Sequence, residues 1–241
     1  MVVVPPNLAC LTPRTVQLRL RARWEIARRH PYHWFKLFVW TNKPVADAMG
    51  IARRNEVAPF PIDRTHLHHL TELWLHNQRL LVVKYRQALV TWWMAGIVAW
   101  DPLFHTNRLI MAQARTEADV IGDRETGDGL LGRAKFILDH VPGAAFLGCK
   151  VGRDIDIKEG VVTFARTRST IQAIAQGGDK IRQRTPSGMA SDECAFQPEF
   201  EGAYMAVQAC LRAGGWFVGA TTADKSDKGF TRKVYFDEAD A

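Results

Sequence analysis

"VVKYRQALVTWW" (residues 82–93) passes from β-branched residues to tryptophans through a short stretch of charged, amide and small side chains. On its left, "RLLVVK" (79–84) is a short apolar run between two cations, the pattern of a buried strand. On its right, "TWWMAGIVAW" (91–100) has the length and apolarity of a helix, which Pro102 is predicted to end. A strand, a short loop and a helix opening at a hydroxyl aim backbone N–H groups and the positive end of the helix at one point. An anion is attracted there. Lys84 and Arg86 can add charge for phosphates, and the Thr91 hydroxyl can hold Mg²⁺. The pattern G-x-x-x-x-G-K-[ST] is absent: no glycine lies between Leu80 and Gly96, and Val90 precedes Thr91. In isolation the stretch reads first as a plain strand–helix turn.

Outward from it, strands and helices alternate. "RLIMA" (108–112) reads as a strand, and 116–140 as a helical stretch broken near "GDG" (127–129). "VVTFA" (161–165) and "TIQAIA" (170–175) read as a hairpin, then a helix runs from Pro198 to about Ala213, and "WFVGATT" (216–222) is a last strand. This alternation predicts an α/β fold with a largely parallel sheet and helices on both faces. Upstream, "DRTHLHHLTELWLHNQ" (63–78) reads as a helix with Asp63 or Thr65 as N-cap and Leu67, Leu70 and Trp74 inward. His66, His68 and His69 lie too close in sequence to share one helix face and have no suitably placed Cys or acid beside them, which argues against zinc. Residues 44–63, with Pro44, Pro59 and Pro61 and little periodicity, read as a connection.

With 241 residues, 47% of them hydrophobic, the chain suits one large α/β domain better than two complete ones. No apolar run is long enough to cross a bilayer, and the start, "MVVVPPNLAC", lacks the basic segment of a signal peptide. Cys10, Cys149, Cys194 and Cys210 have neither metal-site spacing nor disulfide density, which fits reduced thiols in a cytosol. The net charge of +7 favours polyanionic partners, nucleic acid first. Much of the excess lies in 14–40. There Val16, Leu20, Trp24 and Ala27 recur at helical spacing, with Arg19, Arg21, Arg23, Arg28 and Arg29 among them. That pattern predicts an amphipathic helix whose basic face is solvated, or contacts DNA or a partner protein.

In open parallel sheets ligands sit at the carboxyl ends of strands. Three such ends matter here: after Lys84, after Ser191 and after Ala220. In "TPSGMASDECAF" (185–196) the first acid, Asp192, would hold Mg²⁺ opposite a phosphate loop. Glu193, directly after it, would take a proton from an attacking water. The preceding "SGMAS" is small rather than strongly apolar, a poor strand on propensity. In "GATTADKS" (219–226), Thr221 and Thr222 are hydroxyls able to sense a γ-phosphate. Taken singly, each piece also has an ordinary structural reading. Their order carries more weight, and suits an NTPase with an extra strand between its two main motifs.

Together "PYHWFKLFVWT" (31–41), "KYRQALVTWW" (84–93), "RLIMAQARTEADVI" (108–121), "IQAIAQGGDKIRQRTPSGMASDECAF" (171–196) and "GGWFVGATTADKSDKGF" (214–230) resemble the ATPase domain of the large terminase subunit. That subunit is the DNA-packaging motor of tailed bacteriophages. K-x-R-Q-x-x-x-[ST]-W resembles a variant phosphate loop found in part of the family, and the G-G-D-x-I-R…S…D-E-x-A-F block is the most specific piece. The resemblance implies a P-loop NTPase-type fold that binds ATP and Mg²⁺, with Lys84, Arg86 and Gln87 at the phosphates and Thr91 and Asp192 at the metal. It further implies Glu193 as catalytic base, Thr221 and Thr222 as coupling residues, and Arg182 as an arginine finger, with Arg184 a less suited substitute. The implied partners are double-stranded DNA, the portal protein and the small terminase subunit. The setting is a homo-oligomeric ring in the host cytoplasm, the isolated chain being allowed to be a monomer, and no membrane is involved. Residues 1–60 would then be a basic helical segment and linker and 61–241 the ATPase domain, the family's nuclease domain lying outside this chain. The competing expectation, favoured by the missing Gly and Lys, is a non-catalytic DNA- or partner-binding remnant with a decayed phosphate loop. A helicase-like ATPase is disfavoured by the G-G-D-x-I-R block.

Overall fold

The computed structural model describes residues 13–46 and 52–222; Cys10, the apolar start and the segment after Thr222 lie outside the described residues. Helices α1 (Pro13–Arg29) and α2 (Pro31–Phe38) lead into strands β1 (Trp40–Ala46) and β2 (Ala52–Pro59). These two strands pair antiparallel, so part of the stretch expected to be a connection is a two-stranded sheet. The expectation failed because strand pairing is satisfied between backbones and needs no side-chain alternation in the sequence.

Then come α3 (Thr65–His76), β3 (Arg79–Lys84), α4 (Val90–Phe104), β4 (Leu109–Gln113), α5 (Glu117–Ile121), α6 (Leu130–Asp139) and α7 (Ala144–Leu147). The described chain ends with β5 (Ile155–Lys158), β6 (Val161–Phe164), β7 (Ser169–Ile174), α8 (Asp179–Arg182), β8 (Gly188–Asp192), α9 (Phe200–Arg212) and β9 (Trp216–Thr222). The sheet order is β3-β9-β8-β4-β7-β6-β5. β3, β9, β8, β4 and β7 run parallel, and β6 and β5 close one edge as antiparallel strands. The predicted hairpin is β6–β7, with Phe164 opposite Ser169; β5 was not foreseen.

Alternation along the central strands sends their side chains into two separate cores. Ile110, Ala112, Ala190, Val218 and Ala220 join the core that contains the inner residues of α1 to α4 and α6. Met111, Met189 and Phe217 join the core of α9 with Ile181 of α8. Helices therefore cover both faces, as the sequence pattern predicts. In α1, Trp24 and Ala27 are buried while Arg19, Arg21, Arg23, Arg28 and Arg29 are exposed.

α4 is buried around nearly its whole circumference. α2 lies across it at Gly96: the Trp34 indole donates to the Gly96 carbonyl at 3.1 Å, and a Cβ there would stand 2.1 Å from the Phe35 ring. Contrary to expectation the helix does not stop before Pro102 but continues to Phe104. A proline forfeits only its own N–H and crowds the carbonyl four residues back, and here burial of the last turn against Trp24 and Trp34 outweighs that loss. α3 buries Leu67, Leu70 and Trp74 as expected. Its N-cap, however, is Arg64, with no side-chain cap, rather than Asp63 or Thr65. The Asp63 carboxylate is taken by the Tyr32 hydroxyl and the Lys36 ammonium, a charged pairing that competes with capping.

At the amino ends of β4 and β9, the buried Asp101 carboxylate accepts from Arg108 Nε and a guanidinium NH₂ at 2.9 Å each, and from the Trp216 indole at 2.6 Å. His105 Nδ1 lies 3.1 Å from the same carboxylate. One side chain thus ties the end of α4 to the starts of two strands. Cys149, Cys194 and Cys210 are buried free thiols. Burial pushes the first two up to about 12 and the third to about 11, which keeps all three inert at neutral pH.

Candidate functional site

The carboxyl ends of β3, β9 and β8 lie side by side, with Lys84 in register with Thr222 and Asp192 with Ala220. β9 separates the loop-bearing strand from the acid-bearing one, as the order of motifs suggested. β8 forms despite its small residues because a central strand needs room for its neighbours. At Gly188 a Cβ would stand 2.2 Å from the Trp216 ring. Packing of this kind overrides strand propensity.

Lys84 Nζ reaches Glu193 Oε1 at 2.7 Å and Asp192 Oδ1 at 3.4 Å. The other Glu193 oxygen accepts from both the backbone N–H and the hydroxyl of Thr222, each at 3.1 Å. Burial alone would raise the Glu193 carboxyl. The hydrogen bonds from Lys84 and Thr222 outweigh it and hold the group below the ordinary glutamate value. Glu193 has φ 53°, a left-handed conformation that costs a non-glycine residue about 1–3 kcal/mol. Its three hydrogen bonds hold it there. Thr221, buried beneath, accepts from the Ala195 N–H at 3.2 Å and donates to the Thr222 carbonyl.

From Lys84 the chain turns into α4 through a loop in which Gln87 (φ 66°) and Leu89 (φ 62°) take the positive φ that glycines supply more cheaply. A glycine-free loop therefore still makes a tight turn ahead of Thr91. Lys84, Arg86, Gln87, Thr91, Asp192, Glu193 and Thr222 all line one cleft of about 900 Å³. Arg182 does not. It lies exposed on α8, hydrogen-bonded to Asp179 at 3.0 Å, in a separate hollow with Gly177 and Glu199. Arg184 bonds Gln172 instead.

Three features of the cleft were missed from sequence. Thr41, Asn42 and Pro59 of the β1–β2 pair form one side, Arg64 sits at the start of α3, and Arg133 projects from the first turn of α6. Nothing local marks any of them, because each arrives through the packing of a distant element. Of the histidines on α3, His66 faces the Ala88 carbonyl at 3.1 Å and His68 lies 3.7 Å from Glu72. Among the described residues no group of three or more His, Cys, Asp or Glu is placed to hold a metal unaided. A Mg²⁺ ion brought in with a phosphate ligand needs only one or two protein groups, keeping waters for the rest. Thr91 and Asp192 line the same cleft and offer a hydroxyl and a carboxylate of that kind.

Neither a protein-family model nor a curated protein matches the sequence. Solved structures do match in fold. The large terminase of bacteriophage HK97 superposes with a TM-score of 0.56 at 13% identity, over 88% of this chain and 41% of that one. The large terminase ATPase domain of Thermus phage P74-26 gives 0.44 at 14% identity, over 61% of this chain and 59% of that one. The large terminase of a thermophilic bacteriophage, solved in complex with ADP, gives 0.40 at 12% identity, over 59% and 33%. The likeness in fold rests on the first, and the chain spans well under half of that protein's length. This chain shares the fold of that large terminase, a largely parallel α/β sheet with helices on both faces.

Proposed function

We propose that this chain is the ATP-hydrolysing motor domain of a phage large terminase, which drives double-stranded DNA into a procapsid. The observation that carries the reading is the meeting of Lys84, Asp192, Glu193 and Thr222 at the ends of three adjacent parallel strands, beside a tight loop that leads into α4 just ahead of Thr91. Lys84, Arg86 and Gln87 bind the phosphates of ATP, and Thr91 and Asp192 hold Mg²⁺. The ion supplies charge that offsets the negative charge on the phosphates. Lys84 is shared between two carboxylates; phosphates that take over Lys84 would leave Glu193 free to accept a proton from the attacking water. Thr222, bonded to Glu193 through backbone and hydroxyl, and Thr221 beneath it couple the state of the cleft to β9.

Titration calorimetry with ATP, with and without Mg²⁺, tests the reading. The wild-type chain binds. Lys84→Ala loses roughly 10- to 100-fold in affinity under both conditions, the value of a charge-assisted contact, whereas Thr91→Ala loses affinity only when Mg²⁺ is present. A wild-type chain that binds no nucleotide would leave only the non-catalytic remnant.

The proposed partners are DNA, the portal protein and the small terminase subunit, met in the host cytoplasm as a ring of copies. The exposed arginines of α1 and the net charge of +7 support phosphate contact without base reading. Duplex binding should therefore weaken steeply with added salt and differ little between sequences. A strong preference for one duplex at fixed salt counts against it.

A further inference from the structure

We infer that Arg133 is a phosphate-binding cation of the cleft, supplied by the same chain from α6, standing in for the lysine that the loop lacks before Thr91. This rests on the nucleotide reading above and adds a residue to it.

Arg133 lines the same cleft as Lys84, Thr91 and Asp192. Its side chain is only 23% accessible, and its Nε is buried with no hydrogen-bond partner among the described residues. The nearest carboxylate, Asp128, is 4.0 Å from a guanidinium NH₂ and itself 79% exposed, so water screens it well. Buried guanidinium groups are ordinarily paired, since an uncompensated charge away from water is costly. The cost is visible here: burial lowers the pKa of Arg133, opposed by the fields of Asp192 and Asp128. An arginine nonetheless keeps its proton at any physiological pH.

The guanidinium is also held in place. It lies over the Trp92 ring, 5.6 Å from its centroid, a favourable cation–π placement. Trp92 is fixed edge-on against Phe136 at 5.5 Å and fits closely over Gly127, where a Cβ would stand 2.6 Å from the ring. Asn42 ties the loop before α6 to β1 by donating to the Thr126 carbonyl at 2.8 Å. Other cations of the cleft differ. Lys84 is neutralised by two acids, and Arg86 and Arg64 are exposed. A rigid, under-compensated guanidinium facing a phosphate-type loop suits bidentate contact with a polyphosphate.

The test is calorimetric titration of the full chain with MgATP and with inorganic tripolyphosphate, alongside thermal unfolding without ligand. Arg133→Gln should weaken both ligands by roughly 10- to 100-fold. It should shift the unfolding temperature little, because the one ion pair it removes is long and its acid well exposed. Arg133→Lys should recover part of the affinity. Affinities within about twofold of wild type in Arg133→Gln, while Lys84→Ala weakens both ligands, would overturn the inference and leave the nucleotide reading standing. Affinity and unfolding temperature falling together, with Lys restoring neither, would make Arg133 a structural residue and likewise overturn it. If the wild type binds neither ligand, both readings fall.

Discussion

Glu193→Gln is expected to lower ATP turnover by about 10²- to 10⁴-fold, the usual contribution of a positioned general base, while MgATP binding persists. The amide keeps the shape of the side chain and one acceptor oxygen, so the bonds from Thr222 can survive. It loses the proton-accepting carboxylate and the charge that pairs with Lys84. With Lys84 relieved of one acid, ATP affinity should hold or rise. Turnover equal to wild type would remove Glu193 from the chemistry. The pH profile gives a second measurement. The folded-state pKa of Glu193 is depressed, so the group stays ionised as pH falls until that lowered value is reached. The acid limb of kcat/KM, which reports the free enzyme, should therefore lie below the ordinary glutamate value of 4.5. The same depression means that the stabilisation Glu193 gives the fold is present above its unfolded value and lost as pH falls through the folded one. Glu193→Gln also tests Arg182. Because Arg182 lies exposed outside its own cleft, a catalytic role requires a neighbouring copy. Mixing Arg182→Ala with Glu193→Gln chains should then restore some activity, since one kind of mixed interface pairs an intact Arg with an intact Glu. No recovery in mixtures that form rings rules the trans role out.

The largest loss of stability is expected from Asp101→Asn, about 3–5 kcal/mol, the cost of breaking a buried ion pair by removing one partner. Donors from three residues converge on this carboxylate, Arg108, Trp216 and His105. The asparagine NH₂ would face donors rather than accept from them, and the Arg108 guanidinium would lose its only carboxylate partner among the described residues. Thermal unfolding should shift down by about 6–20 °C for a chain of this size; a shift under about 2 °C would mean that the network contributes little. Proton titration offers an independent check. In the wild type, burial would raise the Asp101 carboxyl, but the bonds from His105, Arg108 and Trp216 leave it lowered, and its partner His105 is raised by the bond to Asp101. The His105 contribution is complete below its unfolded value of 6.5 and is lost as pH rises through the higher folded value. In Asp101→Asn the His105 pKa should fall back, and the loss of stability as pH rises above about 6.5 should flatten.

The strands and helices around the cleft were legible because their signals are local. Apolar runs bounded by loops mark β3, β4 and β9, and the 116–140 stretch breaks where Gly127 and Gly129 take positive φ. The residues proposed to carry the chemistry were legible for a related reason. Each stands directly at a strand end, so knowing that β3, β8 and β9 are parallel already brings Lys84, Asp192, Glu193 and Thr222 to one edge of the sheet. What the sequence alone determined was therefore the alternation of elements, the sheet type and the ends of the strands that bear the acids, the lysine and the threonines.

Tertiary structure decided the rest. The small residues of β8 make a strand because Trp216 needs the space above Gly188. α4 runs through Pro102 because its last turn is buried on the aromatic side chains of α1 and α2. Asp63 caps nothing because Tyr32 and Lys36 claim it. Arg133 enters the cleft because Trp92 and Phe136 hold α6 beside α4, while Arg182 stays outside on α8. In each case the outcome turns on the desolvation, space or charge supplied by residues far away in the chain, and local periodicity carries no record of which distant groups will arrive.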